Sequence, residues 1–80
     1  NGIAGSNVAA ADLATVYVDG NVLTVVAEGA AVEVYSVSGA LVARDAVNGA
    51  ANIALPQAGL YIVKVVAGGD AQSFKVLARN

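Results

Sequence analysis

Residues 55–65 read Leu-Pro-Gln-Ala-Gly-Leu-Tyr-Ile-Val-Lys-Val, and this stretch decides the fold. A Pro/Gly turn leads into a strand of β-branched and aromatic residues, and Gly68-Gly69-Asp70 then reverses the chain. A second strand follows and ends in Lys75-Val76-Leu77-Ala78-Arg79-Asn80. The last third of the chain therefore predicts a β-hairpin whose second strand carries two basic residues.

The composition indicates one small globular domain with an aliphatic core. Of the 80 residues, 58% are hydrophobic and 12% are charged, so we do not expect disorder over residues 15–79. Three Tyr and one Phe are the only aromatic residues, and the thin side chains that remain suit two closely stacked sheets. A net charge of −2 without a basic cluster argues against a nucleic-acid partner.

Short Val-rich runs and turn pairs alternate from Thr15 onward, at the spacing of an all-β sandwich or barrel. Glycine recurs at positions 20, 29, 39, 49 and 59, which leaves no room for helices of typical length. A repeat solenoid stays an alternative, although the segments between these glycines differ in side-chain order. We predict an all-β, antiparallel fold of about seven strands: Thr15–Val18, Val22–Ala27, Ala31–Val37, Leu41–Asp45, Asn52–Leu55, Leu60–Val66 and Ala71–Ala78.

Alternation along these strands predicts which side chains face the core, because successive residues of a strand point to opposite faces. Charged residues mark the outward positions in four strands. The predicted pairs of faces are Lys64 outward with Tyr61, Val63 and Val65 inward; Lys75 outward with Phe74 and Val76 inward; Glu33 outward with Val32 and Val34 inward; and Arg44 outward with Leu41 and Ala43 inward.

Residues 1–14 mix Gly, Ser, Asn and Ala without periodicity, so we expect a linker there and a folded domain over residues 15–80. The run Ala9-Ala10-Ala11 could hold one marginal helical turn. The chain starts without Met and lacks a signal-peptide pattern, and we expect a fragment of a larger precursor. The longest apolar stretch, residues 60–67, contains Lys64 and is too short for a transmembrane segment.

Chemistry-bearing residues are scarce, since the chain has no His and no Cys. Nucleophile pairs that need His or Cys, thiolates and the commonest zinc ligands are therefore excluded. A carboxylate pair is conceivable in principle, but most of the acids fall in predicted turns or the linker, where they are solvated. Asp19-Gly20-Asn21 lacks the later ligands of a calcium loop, and Gly68-Gly69-Asp70 lacks the Lys-Ser/Thr of a phosphate loop. We expect no enzyme, metal site or cofactor.

Three segments carry a resemblance to a known family, the C-terminal sorting domains of type IX secretion cargo. Residues 34–42 are similar to its apolar-Tyr-x-x-x-Gly-x-x-Val element, residues 55–65 to its Leu-Pro-x-Gly-x-Tyr-x-Val-Lys-Val element, and residues 74–79 to its basic final strand. The Tyr-Pro-Asn-Pro stretch with which many members open is absent here.

The resemblance implies an immunoglobulin-like β-sandwich that acts as the export address of a fused upstream cargo in a Gram-negative bacterium. Its partners would be the outer-membrane type IX translocon, met in the periplasm, and a sortase-like surface peptidase. The peptidase usually removes the domain as the cargo is released or joined to lipopolysaccharide at the surface. Residues proposed for translocon recognition on this basis are Gly59, Tyr61, Lys64, Val65, Gly68, Gly69, Lys75, Val76 and Arg79.

Two other functions remain open at this point. One is an immunoglobulin-like adhesion or spacer domain of a surface protein, which would share the fold without the address. The other is a domain that stays attached to its cargo and acts as a surface anchor or as a signalling ligand.

Overall fold

The computed structural model describes residues 9–10 and 14–79, and every regular element in them is a β-strand. The strands are β1 (Ala9–Ala10), β2 (Thr15–Asp19), β3 (Val22–Ser36), β4 (Leu41–Ala54), β5 (Gly59–Ala67) and β6 (Asp70–Ala78). All of their pairings are antiparallel, which confirms the predicted class. Ala9 and Ala10 of the predicted linker pair with β2, while its other residues up to 13, and Asn80, lie outside the described residues.

The long strand β3 organises the sheet. It pairs with β4 along nearly its whole length, with β2 through Val22–Val26, and with β5 through residues 31–36. Because a strand has only two edges, β2 and β5 share the edge opposite β4, and β6 extends the sheet beyond β5. The sheet curls so that its far ends meet, where the Arg79 N–H donates to the Gly20 carbonyl at 2.7 Å.

Five strands cover residues 14–79, where the sequence predicted seven. The predicted second and third strands are joined in β3, and the predicted fourth and fifth are joined in β4. The cause lies in Gly29 and Gly49, which have positive φ angles of 65° and 107° but lie within the strands. A positive-φ glycine serves a β-bulge as well as a hairpin turn, and the sequence pattern is the same for both.

The bulge at Glu28-Gly29 changes the alternation of β3. Ala27 pairs with Gly49 and Ala30 with Val47, so two residues of β3 stand opposite Asn48 alone. The buried positions are Leu23, Val25 and Ala27 before the bulge, and Ala30, Val32 and Val34 after it. The extra residue therefore bends the strand and still keeps the apolar side chains of both halves on the inner face.

Three of the four predicted faces are confirmed. Tyr61, Val63 and Val65 of β5, Phe74 and Val76 of β6, and Val32 and Val34 of β3 are all buried. In the fourth, Arg44 is exposed and Ala43 packs against the core, but the inward position of Leu41 was wrong. A register shift leaves Val42 unpaired and sets Leu41 opposite Tyr35, which lies on the outer face. An extra residue reverses the face of every residue beyond it.

The buried core is entirely apolar except for one phenol. Valine dominates it, and no charged or amide side chain is buried among the described residues. Tyr61 lies near the start of β5, and its hydroxyl donates to the Gln57 carbonyl at 2.7 Å and accepts from the Gln57 N–H at 3.2 Å. These bonds fix the corner that enters β5, in the manner of the tyrosine corner of immunoglobulin domains.

Replacing Tyr61 with Phe removes both hydroxyl bonds and keeps the ring in the core. We expect Tyr61→Phe to lower the free energy of unfolding by about 1–2 kcal/mol, because the backbone groups of Gln57 lose their partner at a part-buried site. Urea denaturation measures this. The matched change at the exposed Tyr17, Tyr17→Phe, should cost less than about 0.5 kcal/mol; equal losses in the two variants would contradict the corner.

Replacing Gly29 tests the bulge. No atom lies within 4 Å of a Cβ built at this position, so the cost of a side chain is conformational rather than steric. We expect Gly29→Ala to destabilise the domain by about 1–2 kcal/mol, and Gly29→Asn by less, because Asn adopts the left-handed conformation more readily. Urea unfolding of both variants gives the order, and an equal or larger loss for Asn would argue against the φ-based cause.

Candidate functional site

The outer face of the sheet formed by β4, the second half of β3, β5 and β6 carries aligned rows of side chains. Lys64 of β5 lies opposite Ser73 of β6 on one side and Glu33 of β3 on the other, and Glu33 lies opposite Arg44. In the neighbouring row, Leu41, Tyr35, Ile62 and Lys75 lie side by side across β4, β3, β5 and β6. We call this surface the cationic face, and it consists of Glu33, Tyr35, Leu41, Arg44, Leu60, Ile62, Lys64, Ser73, Lys75, Leu77 and Arg79.

All of the positive side chains of the protein lie on this face. The chain has four Lys and Arg residues: Arg44, Lys64 and Lys75 on the strands, and Arg79, exposed directly after β6. With Glu33 as the one carboxylate, the face has a formal charge of +3. The remaining acids of the described residues, Asp19, Glu28, Asp45 and Asp70, give −4 elsewhere. A domain of net charge −2 is therefore strongly polarised.

One end of the cationic face is apolar. Leu60 lies directly opposite Leu77, and Tyr35 lies between Leu41 and Ile62. The exposed fractions are 40% for Leu60, 44% for Leu77, 49% for Leu41 and 69% for Val37 in the adjoining turn. Apolar side chains grouped at registered positions of a rigid sheet, and bordered by charge, are typical of a protein interaction surface.

Glu33 is held between two cations and a phenol. Arg44 and Lys64 flank it across the strands, and its Oε1 accepts a hydrogen bond from the Tyr35 hydroxyl at 2.8 Å. This bond favours the neutral phenol and raises the pKa of Tyr35 above its ordinary value; desolvation and the charge of Glu33 add to the rise, and Arg44 opposes it. The centre of the face thus has a fixed arrangement of charge and hydrogen bonding.

The predicted recognition residues fall into three groups. Lys64, Lys75 and Arg79 lie on the cationic face. Tyr61, Val65 and Val76 are buried in the core, so in the folded domain they support the face from behind and do not meet a partner. Three glycines shape the backbone at positive φ: Gly59 begins β5, and Gly68 with Gly69 forms the turn into β6.

Several residues of the face are not among the recognition residues that the sequence predicted. Arg44, Leu41 and Tyr35 come from β3 and β4, and only the pairing of β3 with β5 brings them beside the β5–β6 hairpin. Leu60 and Leu77 could have been found, because alternation from Lys64 and Lys75 gives both of them outward positions.

Neither a cluster of metal ligands nor a membrane-spanning helix is found in the described part of the chain. No three Asp or Glu side chains of residues 14–79 gather in a group that could hold a metal ion. No helix long and apolar enough to cross a membrane occurs among residues 9–10 and 14–79. No protein-family model, curated protein or solved structure matches this chain.

The pKa of Tyr35 provides a test of the arrangement at Glu33. We expect Tyr35 to ionise at a higher pH than an ordinary tyrosine, and Glu33→Ala to lower its pKa, because both the hydrogen bond and the negative charge are removed. NMR titration with ¹³C-labelled tyrosine follows the three phenols separately. Asp45→Ala removes an acid on a neighbouring strand position and should leave Tyr35 unchanged; an equal effect of both variants would contradict the bond.

Proposed function

We propose that this domain is a C-terminal sorting signal of the type IX secretion family and has no catalytic activity of its own. It would direct a fused cargo from the periplasm through the outer-membrane translocon to the cell surface or the medium. A sortase-like peptidase would then usually remove it, with release of the cargo or its attachment to lipopolysaccharide.

The observation that carries this proposal is the position of the three segments that resemble the family. Residues 34–42 form the end of β3, its turn and the start of β4; residues 55–65 form the corner and most of β5; residues 74–79 belong to β6 and its end. Although far apart in sequence, these segments are neighbours in one half of the sheet. A shared signal needs such a contiguous unit, because one machine must read it on unrelated cargoes.

The finer assignment of the fold is part of the same proposal. We infer an immunoglobulin-like sandwich in which the two bent strands, β3 and β4, contribute to both layers. The hydroxyl bonds of Tyr61 to the backbone four residues earlier support this, since they resemble the tyrosine corner of that architecture.

The physical properties of the domain suit an address better than a reaction centre. Its core is apolar and mostly aliphatic, and it buries no charged side chain among the described residues. Its cationic face lies on the outside of the sheet and is fixed by cross-strand pairing on all of its strands. Recognition would use Lys64, Lys75 and Arg79 at this face, with the buried residues of the motif holding the strands in place.

A reporter fusion tests the proposal. Residues 1–80 are joined to the end of a periplasmic fluorescent protein in a bacterium with an intact type IX system and in the same strain without the translocon. We expect fluorescence at the surface or in the medium only in the intact strain, and accumulation in the periplasm without the translocon. The fluorescent protein alone is the control and should stay in the periplasm of both strains.

Other outcomes distinguish the other functions. Retention of the fusion in the periplasm of the intact strain would contradict the address and favour an adhesion or spacer domain. Mass spectrometry of the exported fusion then separates the two address models: loss of the β-domain supports cleavage, whereas an intact fusion at the surface supports a retained anchor or signalling ligand.

A further inference from the structure

We propose that the cationic face docks onto a protein surface that has an apolar patch beside an acidic one. The inference deepens the proposed function and rests on it in one respect: the partner is sought among the proteins that the domain meets during export. It concerns the partner's chemistry and assigns roles to Leu41, Leu60, Leu77 and Arg44, which are not among the residues proposed above for translocon recognition.

Charge segregation is the first step of the argument. Four cations lie on the cationic face, and the four described acids other than Glu33 lie elsewhere. The domain of net charge −2 therefore has one sheet face of opposite sign to the rest of its surface. Such a field attracts an acidic surface and turns the domain so that this face arrives first, which raises the rate of association.

The apolar end supplies the second step. Leu60 and Leu77 are directly opposed, Leu41 lies on the same face opposite Tyr35, and Val37 is exposed in the turn that follows β3. Burial of these side chains contributes affinity in proportion to the apolar area removed from water. The cations at the border contribute orientation and selectivity, since exposed ion pairs by themselves stabilise little.

Glu33 favours a protein over an anionic membrane as the occupant. It lies between Arg44 and Lys64, so the row across the sheet has alternating signs. A protein surface can match this pattern side chain by side chain. A bilayer presents a uniform negative potential, which gives the central carboxylate no counterpart. Four strands contribute to the face, and their cross-strand pairing holds its side chains in rows.

Photo-cross-linking during export locates the partner. A benzophenone amino acid replaces Leu77 on the cationic face or, as the control, Ala54 at an exposed position of β4. Irradiation of cells of the intact strain should give one protein adduct from position 77 and none from position 54. No adduct, equal adducts at both positions, or an adduct with lipid alone would overturn the proposal.

The protein identified by cross-linking is then purified without the cross-link, and its binding to the full chain tests the cationic and the apolar contributions separately. Lys75→Gln with Arg79→Gln should weaken binding about five- to tenfold at low salt and much less at high salt. Leu60→Ser with Leu77→Ser should weaken it at both salt concentrations. Ala50→Glu with Ala54→Glu changes the net charge by the same amount at exposed positions of β4 and should have little effect.

The remaining results all oppose the inference. Equal losses in the Lys75/Arg79 and Ala50/Ala54 variants would mean that net charge alone matters. If the weaker binding of the Lys75/Arg79 variant does not depend on salt, the partner's surface is not acidic where these cations dock. Binding of the chain to vesicles of phosphatidylcholine mixed with phosphatidylglycerol, together with no protein adduct, would assign the face to a membrane. All variants are first compared by circular dichroism and urea unfolding, so that a folding defect is recognised.

Failure of this inference is distinguishable from failure of the proposed function. If export requires the translocon but the Lys75/Arg79 and Leu60/Leu77 variants are exported normally, the address stands and the cationic face is not the docking surface. If a specific, salt-sensitive adduct forms in the strain without the translocon and export does not depend on that system, the docking surface stands and the type IX address falls.

Discussion

The structure depends on one constraint, which is that β3 must pair on both edges while its inner face stays in the core. A straight strand of 15 residues could not do this in so small a domain, because the core has to be closed from more than one side. The bulge opposite Asn48 bends β3 and β4 together. It also adds one residue to the alternation, so that buried valines precede and follow the bend on the same face.

The division of the outer surface follows from this bend. The first half of β3 pairs with β2, and the second half pairs with β5. Outward side chains of the second half therefore belong to a different surface from those of the first. Arg44, Lys64 and Lys75 all fall on the second surface, although β3 itself contributes no cation to it. The polarity of the molecule is thus a product of strand pairing and not of any run of charge in the chain.

The core and the surface have separate tasks in this arrangement. Valine and alanine fill the interior with few rotamers to lose on folding, and the corner at Tyr61 satisfies the only buried phenol. No buried side-chain nitrogen or oxygen of the described residues lacks a hydrogen-bond partner. A surface held by cross-strand pairing loses little conformational entropy on binding, which suits the docking proposed for the cationic face.

What the sequence by itself determined is the local part of the structure. The β-branched runs and the Asp-Gly and Gly-Gly turns gave the all-β class, and alternation around Lys64 and Lys75 gave the inner and outer faces of β5 and β6. These properties depend on residues that are neighbours along the chain, so the sequence alone can predict them. The position of Leu41 was wrong because a bulge depends on the partner strand, and the partner strand is not visible in the local pattern.

Only the tertiary structure decided whether Gly29 and Gly49 end a strand or bend it, since a positive φ angle serves both conformations. It also decided the composition of the cationic face. Lys64 and Lys75 could be assigned outward positions from the sequence, but their proximity to Arg44 and Leu41 required the pairing of β3 with both β4 and β5. Pairing between strands distant in the chain is set by the closure of the core, which no single segment specifies.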